Sequence, residues 1–227
     1  MKKALLPLAV LGFLAVSVPA MAVPTQGVFG FTTSSTVELV IDGTTTFLAA
    51  DTGWYSAAGV HHASIPNYFA GFCGVDNCAV EEEIRDFAVF DLGEFTGGAT
   101  SAVIRLFNPA GGYVSPNPSE LFRLYDVSTG VRDLVADQTD ATDIFDDLGS
   151  GLVFGSRIVT SADGGTFVEI TLNADGLDSL NRAIGSWAVG GALDLSEAPA
   201  PEPVPEPATL LLLGSGLILG RRLRKRS

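Results

Sequence analysis

The chain has 227 residues, with 13 lysines and arginines against 26 acids, two cysteines and two histidines. Between Val23 and Ala200, six arginines and no lysine stand against 24 acids, a net charge of −18. Such a surface repels phosphate backbones and anionic membranes, which excludes nucleic acid as a partner and suits divalent cations or a hydrated extracellular setting.

The chain opens on Met1-Lys2-Lys3, continues with an uncharged apolar run from Ala4 to Val18, and then places small residues at Ala20 and Ala22. A basic start, a short apolar stretch and alternate small residues are what signal peptidase reads, so residues 1–22 are expected to be a signal peptide cut after Ala22. A permanent anchor would want about 20 apolar residues. The protein is therefore expected to be exported.

Residues 23–198 read as one all-β outer domain, an antiparallel β-sandwich of jelly-roll type, large enough to bury its own core. Short apolar runs recur every eight to twelve positions, which predicts strands over Gly27–Thr32, Thr36–Ile41, Thr45–Ala49, Arg85–Asp91, Ser101–Asn108, Glu120–Asp126, Leu152–Thr160, Thr166–Asn173 and Ser186–Leu193. Asp42-Gly43, Thr96-Gly97-Gly98, Pro109 to Pro118 and Asp163-Gly164-Gly165 separate them, because Gly and Asp permit positive φ and Pro blocks a ladder hydrogen bond. Alternation in Phe167-Val168-Glu169-Ile170-Thr171-Leu172 predicts sheets with one wet face. A single helix is expected after an Asn173 or Asp175 cap, with Leu177, Leu180 and Ile184 on its buried side and Gly185 at its end.

Within this domain, Cys73 and Cys78 flank four turn-forming residues on the oxidising side of the membrane, which predicts a local disulfide. His61 and His62 have no Gly-x-Ser-x-Gly nucleophile turn to serve, so they are expected at a loop or a sandwich edge and the protein is expected not to be an enzyme. The acids Asp137, Asp140, Asp143, Asp146 and Asp147 recur at nearly three-residue steps; Asp140, Asp143 and Asp147 are candidate calcium ligands, with a merely solvated loop as the alternative. Trp54 and Tyr68, read as loop residues, are candidate platforms for stacking a sugar, whereas Trp187 is expected in the core.

Pro199 to Pro207 (PAPEPVPEP) can form neither helix nor central strand and predicts a stiff stalk spanning about 28 Å. It leads into Ala208 to Gly220, uncharged and apolar all round, which predicts a transmembrane helix, short at about 20 Å. Arg221, Arg222, Arg224, Lys225 and Arg226 follow within residues 221–227 and are expected to stop transfer, fixing a cytoplasmic C-terminus at the inner membrane.

Val204-Pro205-Glu206-Pro207, the apolar run and the basic end resemble, in that order, the PEP-CTERM sorting signal of Gram-negative bacteria. The resemblance implies recognition by an exosortase, a membrane protease that cuts near the motif and releases or transfers the protein to the cell surface. The segment from Trp54 to Leu193 also resembles a domain recurrent among such proteins. Its marks include Trp54-Tyr55, His61, Asn67-Tyr68, Arg85-Asp86-Phe87, Tyr125-Asp126-Val127, Asp147 to Gly151 and Gly190-Gly191-Ala192-Leu193. That likeness implies a jelly-roll sandwich similar to carbohydrate-binding modules. The expected function is a non-enzymatic surface or matrix protein associated with extracellular polysaccharide or the envelope. The alternative is a carbohydrate-binding module with a defined sugar site, with or without calcium.

Overall fold

The computed structural model of the protein describes residues 27–32, 36–73 and 81–195. Within them the chain runs β1 (Val28–Thr32), β2 (Val37–Ile41), β3 (Thr45–Ser56), β4 (Tyr68–Cys73), β5 (Glu82–Asp91), β6 (Ala102–Asn108), β7 (Tyr113–Val114), β8 (Ser119–Asp126), α1 (Val131–Leu134), α2 (Thr142–Asp147), β9 (Val153–Thr160), β10 (Thr166–Thr171), α3 (Ala174–Arg182) and β11 (Ser186–Leu193). The predicted signal peptide, stalk, apolar helix and basic tail lie outside the described residues. No helix among the described residues is long and apolar enough to cross a membrane.

All strand pairings among the described residues are antiparallel, in the order β10-β6-β2-β3-β5-β11-β8-β9, with β4, β1 and β7 branching from β5. β3 makes this one folded sheet. Its first residues pair with β2, its later ones pair with β5, and the register shifts between Ala49 and Asp51. An irregularity of this kind bends a strand and increases its twist, so β3 turns the corner between two layers. Leu39 of β2, Ile104 of β6 and Ile170 of β10 face Phe90 of β5, Phe122 of β8, Phe154 of β9 and Val189 of β11 across the sandwich, all buried in one cluster. Trp187 belongs to it, nearly parallel to Phe154 at 6.0 Å, with its indole N–H donating to Ser179 Oγ at 3.1 Å.

The chain is thus an all-β antiparallel sandwich, and the expectation of one wet face needs correcting. The short helices α1 and α2 lie on the outer face of the middle strands, where Leu134, Ile144, Phe145 and Leu148 bury Tyr55, Phe87 and Val89 in a second core. β5 is consequently buried almost continuously from Ile84 to Phe90, as in a strand covered on both faces. Helices of four and six residues have no stability of their own, so this packing is what holds them.

The ends of two other elements also differ from expectation. β3 continues past its predicted end at Ala49, through Asp51, Thr52 and Gly53, to Ser56. Gly53 is there for room: a Cβ would stand 2.6 Å from His61 Cε1 and 2.8 Å from the Phe87 ring. Of the two expected caps, Asn173 starts helix α3, its Oδ1 accepting from Gly176 N at 3.0 Å, and the helix stops at Arg182. Leu180 is buried and Leu177 packs on the core, whereas Ile184 lies beyond the helix and is 92% exposed.

Candidate functional site

Trp54 and Tyr68 are strand residues, not loop residues. Tyr68 is only 1% exposed and its hydroxyl donates to Phe107 O at 3.0 Å, so its ring has no face to offer a sugar. Burial also raises the Tyr68 hydroxyl above the ordinary tyrosine value. Trp54 is half-buried, its ring centroid 5.2 Å from that of Phe69, and packs against the small cluster of Phe69, Cys73 and Ile84. Cys73 closes β4 within that cluster, and no described cysteine is free. Cys78 lies outside the described residues.

The acidic run does not converge. No group of three or more His, Cys, Asp or Glu side chains among the described residues is arranged to hold a metal, which corrects the assignment of Asp140, Asp143 and Asp147 as calcium ligands. Asp147 is spent on a turn: its two oxygens accept from Ser128 N and Oγ and from Thr129 N and Oγ1, at 2.7–3.0 Å. Burial raises the carboxyl, but the four hydrogen bonds together outweigh it and hold the group below the usual carboxylate range. Asp140 adopts a positive φ of 61°, and Asp143 lies in the first turn of α2. Asp42 repeats the Asp147 device at the β2–β3 turn, where Oδ1 accepts from Thr100 and Ser101.

Two buried titratable groups stand out instead, one on each face of the same layer. Asp86 points between the layers from β5, directly opposite Trp54 of β3 and Gly191 of β11. It is 5% exposed, and its Oδ2 has no hydrogen-bond partner; the neighbouring Trp54 indole N–H and Ser56 hydroxyl, which share its face, are also buried without partners. With desolvation as the sole cause, its carboxyl is pushed well above the usual range. Gly191 makes room for it, since a Cβ there would lie 2.0 Å from Asp86 Oδ1.

On the outer face, His61 is 2% exposed and stacks on Tyr55 at 4.8 Å, with the Phe87 ring edge-on at 5.3 Å. The segment after β3 wraps the strand edge that β2 has left. Ser56 N donates to Val60 O, His61 Nδ1 donates to Trp54 O at 2.9 Å, and Thr52 Oγ1 donates to Pro66 O. A free edge carbonyl is thereby satisfied by a histidine ring in place of a strand. The expectation of a histidine at a sandwich edge thus holds for His61, but with the ring buried.

Asp86 and His61 were both visible as marks in the sequence, yet neither was read as a buried ionisable group. The signal for Asp86 was a carboxylate in the apolar alternation Ile84-x-Asp86-x-Ala88-x-Phe90. No comparable signal exists for His61, whose burial depends on residues 133–148 folding over it.

Among the described residues, the ionisable groups Asp86 and His61 are thus buried on opposite faces of one layer of the domain. Outside it, residues 199–226 match the family model of the PEP-CTERM protein-sorting motif. The chain carries an exosortase sorting signal. That motif implies a secreted protein that transits a membrane and is processed by an exosortase. Val204, Pro205, Glu206 and Pro207 and all five basic residues from Arg221 to Arg226 fall within the match. Neither the curated proteins nor the solved structures hold a significant match to the chain.

Proposed function

We propose that this is an exosortase-sorted protein of the cell surface or extracellular matrix, whose sandwich domain acts without catalysis in association with exopolysaccharide or the envelope. The observation that carries the reading is the sorting motif at 199–226, immediately after an acidic β domain that ends at Leu193 of β11. Signal peptidase removes residues 1–22 after Ala22. Residues 23–198 then fold outside as a jelly-roll-like sandwich, with Cys73 and Cys78 joined in a local disulfide. The Pro199–Pro207 stalk presents Glu206 at the outer membrane face, because Pro205 and Pro207 cannot join a helix as ordinary members. The apolar residues 208–220 fix its depth, and the basic end prevents the tail from being drawn through. The defined sugar site of the alternative reading finds no support at Tyr68.

The test is a fractionation blot of wild type, Glu206→Ala and a deletion of Arg221 to Arg226, in hosts with and without exosortase. Export should persist in all three, while both variants accumulate as full-length protein in the inner membrane. Maturation of the variants to the wild-type size and compartment would overturn the reading. A polysaccharide pull-down with the matured protein separates matrix association from a purely structural envelope role.

A further inference from the structure

We propose that His61 is an acid-sensitive latch: adding a proton to its buried ring releases the α1–α2 cover from the outer face of the sheet. The cover, residues 130–148, touches that face through few polar mounts. Tyr55 donates its hydroxyl to Leu134 O at 2.9 Å, and Arg85 donates to Phe145 O at 3.1 Å while lying 4.1 Å over the Phe145 ring. The third mount is the His61 segment, where His61 N donates to Gln138 O and Gln138 N to His61 O at 3.1 and 3.0 Å, and Ala141 N donates to Gly59 O at 3.0 Å. Gly59 is required there, with φ at 74° and a would-be Cβ 2.3 Å from Ala141 N.

His61 joins the two sides of this seam. Its backbone is bonded to the cover and its ring to the edge of β3. Because a carbonyl can only accept, the Trp54 contact places the proton of the neutral ring on Nδ1. Nε2 is left buried, with no hydrogen-bond partner. A second proton there creates a cation wedged between Tyr55 and Phe87, with only the nearby Val135 carbonyl to face its new N–H. Burial of such a group without compensation is unfavourable, and the state that relieves it is one in which the ring reaches water.

The charged groups around the ring do not remove this cost. Asp51 on β3 and Asp137 on the cover favour the proton, as do hydrogen bonding to Trp54 O and the nearby Val135 carbonyl, yet desolvation is the largest influence and the ring stays below the ordinary histidine value. Asp137 is already committed, accepting from Ala63 N at 2.9 Å. Asp133 and Asp143 bear on Tyr55, whose hydroxyl burial holds in its neutral form. Arg85 stands across Phe87 at the Phe145 mount. A base that binds protons less well in the closed state stabilises that state above the free value of about 6.5 and loses the contribution as pH falls below it. An exported domain meets the pH of its surroundings directly.

Hydrogen–deuterium exchange on the full chain in detergent tests this, with protection corrected for the intrinsic pH dependence of exchange. From pH 7.5 to 5.5, amides of residues 131–148 should lose protection by up to about tenfold per pH unit below 6.5, while those of β8 and β11 hold. His61→Gln, which cannot take up a proton, should flatten that dependence. Constant protection of residues 131–148 in the wild type, or an unchanged pH slope in the variant, overturns the latch. Should the variant fail to fold, the NMR titration of the His61 ring in the wild type decides. A midpoint at or above the ordinary histidine value overturns the latch, and a lower one that coincides with lost protection supports it.

Discussion

Asp147 lies in an acid-rich crossover and Asp86 in an apolar strand, and their surroundings treat the two carboxylates in opposite ways. Asp147 meets two backbone N–H groups and two hydroxyls supplied by Ser128 and Thr129, and its charge is stabilised where it stands. Asp86 is deeper, with no arginine paired to it among the described residues and one oxygen unpartnered. Local density of acids is therefore a poor guide to electrostatic strain. What matters is how many donors the fold brings to each oxygen and how much water it removes.

The contrast can be broken most sharply at Gly191. Gly191→Ala places a Cβ 2.0 Å from Asp86 Oδ1 and 2.5 Å from Phe122, so it should destabilise the domain by about 3 kcal/mol in denaturant unfolding. In an Asp86→Ala background the same change should cost at least about 1 kcal/mol less, and strict additivity of the two would show that the contact is not what limits Gly191.

Removing Asp147 should matter less. Asp147→Ala strands two N–H groups that water can partly reach, a loss of about 1–2 kcal/mol, with Asn recovering part of it through its remaining acceptor. If Asn and Ala are equally harmful, charge rather than hydrogen bonding holds the turn.

The pH dependence sharpens the comparison because the two signs differ. Asp147, lowered on folding, contributes stability that is complete above the free carboxylate value and is lost as pH falls through the folded one. Asp86, raised on folding, contributes fully below the free value and loses its contribution as pH climbs toward the folded one. Stability measured from pH 3 to 8 should thus become flatter at the acid end in Asp147→Asn and flatter above pH 4 in Asp86→Asn, by no more than about 1.4 kcal/mol per pH unit. Identical profiles for the two variants would contradict the assigned environments. The smallest effect is expected from calcium: millimolar calcium should leave the unfolding midpoint where it is, since specific binding to the native state would raise it by mass action.

How far the fold was readable shows in particular strands. β2, β6, β8 and β10 were visible because each alternates or nearly so, and a period of two survives wherever one face meets the core. The second half of β3, beyond Ala49, was not predicted, and β4 was not read as a strand at all. A glycine chosen for clearance beneath His61 looks the same in a sequence as one chosen for a turn. For the candidate residues the same limit applies, since Tyr68 has the composition of a sugar platform and is a core residue because distant strands pack around its ring, with its hydroxyl donating to Phe107 O.

The sequence by itself was enough to show the sorting motif, because the match over residues 199–226 is a pattern of prolines, apolar residues and cations read in order along the chain. It likewise determined the antiparallel β class, an α3 cap at Asn173 or Asp175 and the acidity of the domain, each a matter of near neighbours or of counting. Only the tertiary structure decided that the acidic crossover covers a second core, that Asp147 is satisfied while Asp86 is not, and that His61 replaces a strand at the β3 edge. Those outcomes join residues as distant as His61 and Gln138. Burial, and with it the free energy of an ionisable side chain, depends on which of those distant segments meet.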